Sequence, residues 1–101
     1  MIRNAYIRRV EGRLDRLTGE FESARTGAGE ITAEARASFG QQVDGIRIKA
    51  ETVRKRIREV LAAEASDWGR RKQGVEEALD DLKRSVDETV RWLRRTGSDN
   101  R

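Results

Sequence analysis

Apolar residues recur at steps of three and four along nearly the whole chain. From Tyr6 the stripe runs through Val10, Leu14, Leu17, Phe21, Ala24, Ala28, Ile31 and Ala35. It continues through Phe39, Val43, Ile46, Ala50, Val53, Ile57 and Leu61. It then passes Ala65, Trp68, Lys72, Val75, Leu79, Leu82, Val86, Val90 and Leu93, with Lys72 its one charged member. Steps of this kind gather side chains on one face of a helix, as in a coiled-coil or bundle seam. Strict alternation is absent and β-branched residues are not clustered, so the pattern predicts an all-α fold of long antiparallel helices.

The breaks decide the architecture. Ser66 is a favourable N-cap, and Asp67 suits the positive end of a helix dipole, so a last helix is expected to start there and run to about Arg95. Thr96-Gly97-Ser98-Asp99-Asn100 reads as its stop, leaving 97–101 as a tail outside a single domain of residues 1–96. Gly27 and Gly29 mark a second candidate break, because glycine inside a helix costs roughly 1 kcal/mol against alanine. The stripe nevertheless passes through Ala28 without a skip in phase.

Two architectures follow. Helices at about 3–26, 30–64 and 67–95 would form an up-down-up bundle, with lengths of roughly 36, 52 and 43 Å. Alternatively one helix of ~60 residues, about 90 Å long, would carry a shorter antiparallel helix on its second half. That second form exposes Val10, Leu14, Leu17 and Phe21 and therefore requires a partner chain. The unbroken phase favours the long helix slightly; the glycines favour the bundle.

Composition removes most chemistry. The 101 residues include no proline, cysteine or histidine, and 40% are charged. Disulfides, thiol nucleophiles, Cys/His metal sites and imidazole acid-base catalysis are therefore excluded. The longest apolar run, Val60 to Ala63, is far too short to cross a bilayer, and the charged start at Arg3 is unlike a secretory signal. These features predict a soluble cytoplasmic protein. Twenty-two cations, eighteen of them arginine, against eighteen acids give +4, spread thinly along the chain. A basic balance raises nucleic acid as a partner, but interleaved acids weaken the field.

Few residues invite a chemical role. Glu76-Glu77 and Asp80-Asp81 are adjacent acids on diverging helix positions beside Lys83 and Arg84, and read as a solvated face. Glu51 with Lys55, Asp67 with Arg71, Asp80 with Arg84 and Asp87 with Arg91 are spaced as i,i+4 ion pairs. Lys72 reads as a seam lysine whose stem covers apolar surface. The densest basic patch is Arg47, Lys49, Arg54, Lys55, Arg56 and Arg58, opposite Val53, Ile57 and Leu61, which would suit phosphates or an anionic membrane surface. Trp68 on the seam reads as a packing anchor, and Trp92, one place off it, as the better exposed contact.

The order of landmarks resembles a family of small bacterial coiled-coil proteins of about a hundred residues, usually labelled stress-response proteins. The resemblance lies in Tyr6-Ile7-Arg8-Arg9, Leu14-Asp15-Arg16-Leu17 and Phe39-Gly40-Gln41-Gln42. It is most distinctive in Ala65-Ser66-Asp67-Trp68, Arg70-Arg71-Lys72 and Gly74-Val75-Glu76-Glu77-Ala78-Leu79-Asp80-Asp81-Leu82. Leu79 stands where a second tryptophan is common, and Gly27 and Gly29 interrupt a stretch the family fills with alanine and acids. The resemblance implies a cytoplasmic helical protein tied to stress, with no reaction or cofactor to carry over.

The combined expectation is a non-enzymatic coiled-coil protein without cofactor, metal or small-molecule substrate. It would pair with itself, as a dimer or higher oligomer, or with another helical protein. The expected seam is Val10, Leu14, Leu17, Phe21, Val75, Leu79, Leu82, Val86, Val90 and Leu93. The alternative is a binder of nucleic acid or anionic membrane through the basic patch.

Overall fold

Helix α1 spans Ile2–Gly27, α2 spans Ala33–Ala62, and α3 spans Trp68–Asp99, with a 3-10 turn at Ala65–Asp67 between the last two. The computed structural model describes residues 2–27 and 31–99. Contacts between chain ends fix the direction. Arg3 and Tyr6 of α1 meet Ala63 at the end of α2 and Glu76 near the start of α3, so α1 and α3 run parallel and α2 opposes both. The result is an elongated up-down-up bundle, 55 × 20 × 14 Å over its Cα atoms. α3 is its centre, packing extensively on α2 and on α1, whereas α1 and α2 touch at few points.

The single 60-residue helix is thereby overturned. α1 ends at Gly27, and Ile31 and Thr32 are not helical; Ala28 and Gly29 of the expected turn lie outside the described residues. The capping residue that restarts the chain is Thr32. It is extended (φ −64°, ψ 162°), and its hydroxyl accepts from the Ala35 amide at 3.1 Å. This satisfies one of the amides a helix start leaves unpaired, and it places the start at Ala33 instead of residue 30.

The second break falls within two residues of its expected place, but its capping differs. Ser66 caps nothing; it lies inside the 3-10 turn, whose preceding residue, Glu64, makes no side-chain cap. Ala63 and Glu64 instead turn the chain by adopting extended dihedrals among good helix formers. Arg3 supports that reversal from another helix, donating from Nη2 to the Ala63 carbonyl oxygen at 3.1 Å. At the far end α3 continues through the expected stop as far as Asp99, and 100–101 lie outside the described residues.

The core follows most of the stripe, with departures on both sides of it. Ile7, Val60 and Thr89 are buried, whereas Leu61 is 48% exposed. Residues 60 and 61 lie about equally far to either side of the stripe centre set by Ile46, Ala50, Val53 and Ile57, and Val60 is the one that packing covers.

All five aromatic residues sit in two clusters at opposite ends of the bundle. Tyr6 meets Trp68 edge-to-face at 6.3 Å. Phe39 lies between Phe21 (6.0 Å) and Trp92 (6.1 Å), stacked on the latter with planes 5° apart. Trp92 is therefore a half-buried packing element, which corrects its expected role as an exposed contact. Aliphatic rows, including Val53, Val75, Leu79 and Val86, fill the bundle between the clusters.

Candidate functional site

The expected association seam faces the interior of a single chain. Val10, Leu14, Leu17, Phe21, Val75, Leu79, Leu82, Val86 and Leu93 are all buried, none more than 7% exposed, and Val90 packs against them partly buried. The stripe on α1 that a long helix would have shown to a partner is covered by this chain's own α3 and α2. Pairing of copies through these residues would require opening the bundle.

The basic patch is divided by the helix it sits on. Arg47, Arg54, Lys55 and Arg58 are exposed, but Lys49 leans on α3, donating to the Ser85 hydroxyl and lying 3.4 Å from Asp81. Arg56 is exposed as well, but its stem lies beside Gly74 of α3. Arg54 is held by Glu51 at 2.7 Å. The six residues therefore do not form one surface, because consecutive positions diverge by about 100° around the helix.

The expected i,i+4 ion pairs also choose other partners: Glu51 takes Arg54, Asp67 takes Arg70, and Asp87 takes Lys83. Each is exposed, and such pairs contribute at most about 1 kcal/mol.

Two groupings emerge that the linear pattern did not show. At the end where all three helices meet, the Tyr6 hydroxyl donates to Glu76 Oε2 at 2.7 Å, and Arg13 donates to Oε1 at 2.8 Å. The Lys72 ammonium lies over both the Tyr6 and Trp68 rings, 4.7 and 4.4 Å from their centroids. The seam lysine thus covers apolar surface as expected and is also stabilised by the negative faces of two rings. The Trp68 indole N–H is buried and has no acceptor among the described residues.

The cluster is expected to make stability pH-dependent. Burial pushes the Tyr6 phenol far above its ordinary range, and the hydrogen bond and negative charge of Glu76 push it further. Burial alone would raise the Glu76 carboxyl, but hydrogen bonds from Tyr6 and Arg13 and the charges of Arg13 and Arg9 outweigh it and hold the group low. A lowered carboxyl contributes stability above its unfolded value of about 4.3, lost as pH falls through the folded value. A raised phenol contributes stability below about pH 10, lost as pH rises beyond it. Tyr6→Phe should cost about 1–2 kcal/mol at neutral pH and flatten the alkaline loss relative to wild type. Denaturant titrations of both proteins from pH 3 to 11 check this; parallel alkaline limbs would show that Tyr6 does not carry the effect.

The second grouping lies on the α2–α3 hairpin. Arg56, Glu59, Arg70, Arg71 and Gly74 line an open concavity of about 310 Å³. Its ion pairs are loose: Arg56 and Arg71 reach the two oxygens of Glu59 at 3.4 and 3.5 Å. Close charge-assisted contacts run to about 2.7–2.9 Å. Arg70 is held by Asp67 at 2.9 Å. Arg56 was expected in the basic patch, whereas Arg70 and Arg71 stand twelve or more positions away; only the hairpin brings them together.

Among the described residues no group of three acidic side chains is placed to hold a metal ion. No described helix is long and apolar enough to cross a membrane. Comparison with protein-family models, with curated proteins and with solved structures finds no match to this chain.

Proposed function

We propose that the protein is a non-enzymatic helical interaction module that acts in the cytoplasm as a folded single chain and meets its partners with its charged faces. One observation carries this reading. The apolar stripe that would pair copies is already buried between α1, α2 and α3 of one chain. What is left outside is mostly charged; Ile48 and Leu61 are the exposed large apolar residues among those described. A role under stress conditions is part of the proposal and rests on the sequence resemblance alone.

Light scattering on the size-exclusion peak tests it. The expected mass is that of one chain, 11.5 kDa. A mass of two or more chains at micromolar concentration would overturn the single-chain reading and return the stripe to an intermolecular role.

A second reading is favoured by one feature. Arg47, Lys55 and Arg58 are exposed on α2 and carry no ion pair among the described residues. They would give weak binding of nucleic acid or anionic vesicles that falls steeply with salt. Fluorescence anisotropy with a labelled duplex, and vesicle co-sedimentation, both at low salt, test it. Absence of binding in both would eliminate this reading.

A further inference from the structure

We propose that the concavity on the α2–α3 hairpin is a binding site for a phosphoryl oxyanion, such as the diphosphate group of a soluble ligand. The proposal goes beyond the interaction role and stands on a different observation.

Three guanidinium groups, Arg56, Arg70 and Arg71, border the concavity with a single carboxylate, Glu59. The lining charge is therefore +2, but Asp67 at the edge holds Arg70 at 2.9 Å, so Arg56 and Arg71 are the guanidinium groups left to meet an anion. Glu59 engages two of the arginines with one long contact each, at 3.4 and 3.5 Å. A guanidinium offers five N–H donors in a planar fork, so Arg56 and Arg71 retain most of theirs for a ligand. Such forks match the spacing of phosphate oxygens.

The fold supplies the room. Gly74 faces the Arg56 stem across the helix pair: a Cβ there would stand 3.6 Å from Arg56 Cδ. Without a side chain at Gly74, the floor between Arg56 and Arg71 stays open. A volume of about 310 Å³ corresponds to roughly ten waters at about 30 Å³ each, enough for two linked phosphoryl groups with solvent. Arg70 and Arg71 also stand in the first turn of α3, where the helix dipole adds positive potential.

Inorganic pyrophosphate is the probe. Titration at 20 mM salt should give saturable one-to-one binding by calorimetry, with amide shifts concentrated at Arg56, Arg70, Arg71 and Gly74. Arg56→Ala/Arg71→Ala should weaken binding at least tenfold, and Arg71→Lys, which keeps charge but loses the fork, several-fold. Arg47→Ala/Arg58→Ala removes the same charge from the outer face of α2 and should change affinity less than twofold. Circular dichroism of each variant checks that helicity is kept. Equal losses in the two double variants, or shifts spread over all basic residues, would show diffuse counter-ion attraction and overturn the site. So would an absence of saturation by 10 mM pyrophosphate. A vesicle arm containing phosphatidic acid separates the sources of phosphate. Vesicle binding abolished by pyrophosphate supports the same site, and vesicle binding without any response to pyrophosphate overturns a soluble-ligand site.

Discussion

Replacing Leu17 with aspartate is expected to remove most of the helical signal of the chain. Leu17 is 7% exposed and lies in the α1 stripe that closes the bundle over α3. Loss of a buried leucine costs about 2–5 kcal/mol, and a carboxylate in its place adds desolvation with no partner. The sum, at least about 4 kcal/mol, rivals the whole stability of a domain this size, about 5–15 kcal/mol. The loss should spread beyond α1. Val75, Leu79, Leu82 and Val86 are fully buried only while α1 and α2 both cover α3. An α2–α3 hairpin without α1 would bare one side of that row to water. Urea denaturation followed by circular dichroism, alongside molar mass, discriminates the outcomes. A variant that keeps the signal of α2 and α3 would show that the hairpin stands alone. One that keeps all its helicity but loses half its mass would show that the stripe joins two chains.

The periodic stripe made the helices legible, since steps of three and four report one buried face whatever covers it. For the same reason it was silent on the partner. Val10, Leu14, Leu17 and Phe21 read identically whether a second chain or the chain's own α3 lies opposite. The unbroken phase through Ala28 misled because phase records how residues face within each helix, and a turn of suitable length can preserve it. Thr32, whose side chain caps α2, was a better boundary signal than the glycines before it. The reversal near Ala63-Glu64 was located by Ser66 and Asp67 just beyond it, although neither the Ser66 side chain nor a helix breaker makes the turn. It is imposed by packing, and one of its supports, Arg3, is sixty positions away.

The candidate sites were less legible, and the cause is again geometric. Six cations along α2 read as one patch, but the helix leans Lys49 and Arg56 toward α3 and leaves Arg47, Arg54, Lys55 and Arg58 on the outer side. The arginine-lined concavity needs residues from both arms of a hairpin, so no linear window contains it. The Tyr6–Glu76 bond likewise joins residues seventy positions apart. Lys72 is the exception. A lone charge on an apolar stripe has to reach either water or a favourable face, and here it finds two aromatic rings.

Alanine at Gly12, Gly19 and Gly40 together is expected to stabilise the protein by about 2–3 kcal/mol. The three glycines lie inside α1 and α2, are exposed, and have no atom within 4 Å of an added Cβ. Each exchange therefore adds helix propensity and reduces the freedom of the unfolded chain without a steric penalty. Gly12 and Gly19 are seven residues, about 10 Å, apart along α1, so the gains should add. For a chain of this length the midpoint of thermal unfolding should rise by roughly 10–20 °C. Gly74→Ala is the informative contrast. It gives a comparable propensity gain, and its methyl would meet Arg56 Cδ at an ordinary 3.6 Å, but it partly fills the floor of the arginine concavity. The triple variant should bind pyrophosphate as wild type does, whereas Gly74→Ala should gain stability and bind more weakly. Differential scanning calorimetry and the same titration read both quantities. A triple variant with no rise in midpoint would show that the helices of α1 and α2 are not continuous through these positions. A Gly74→Ala variant that binds as tightly as wild type would show that the open floor at Gly74 plays no part in holding the anion.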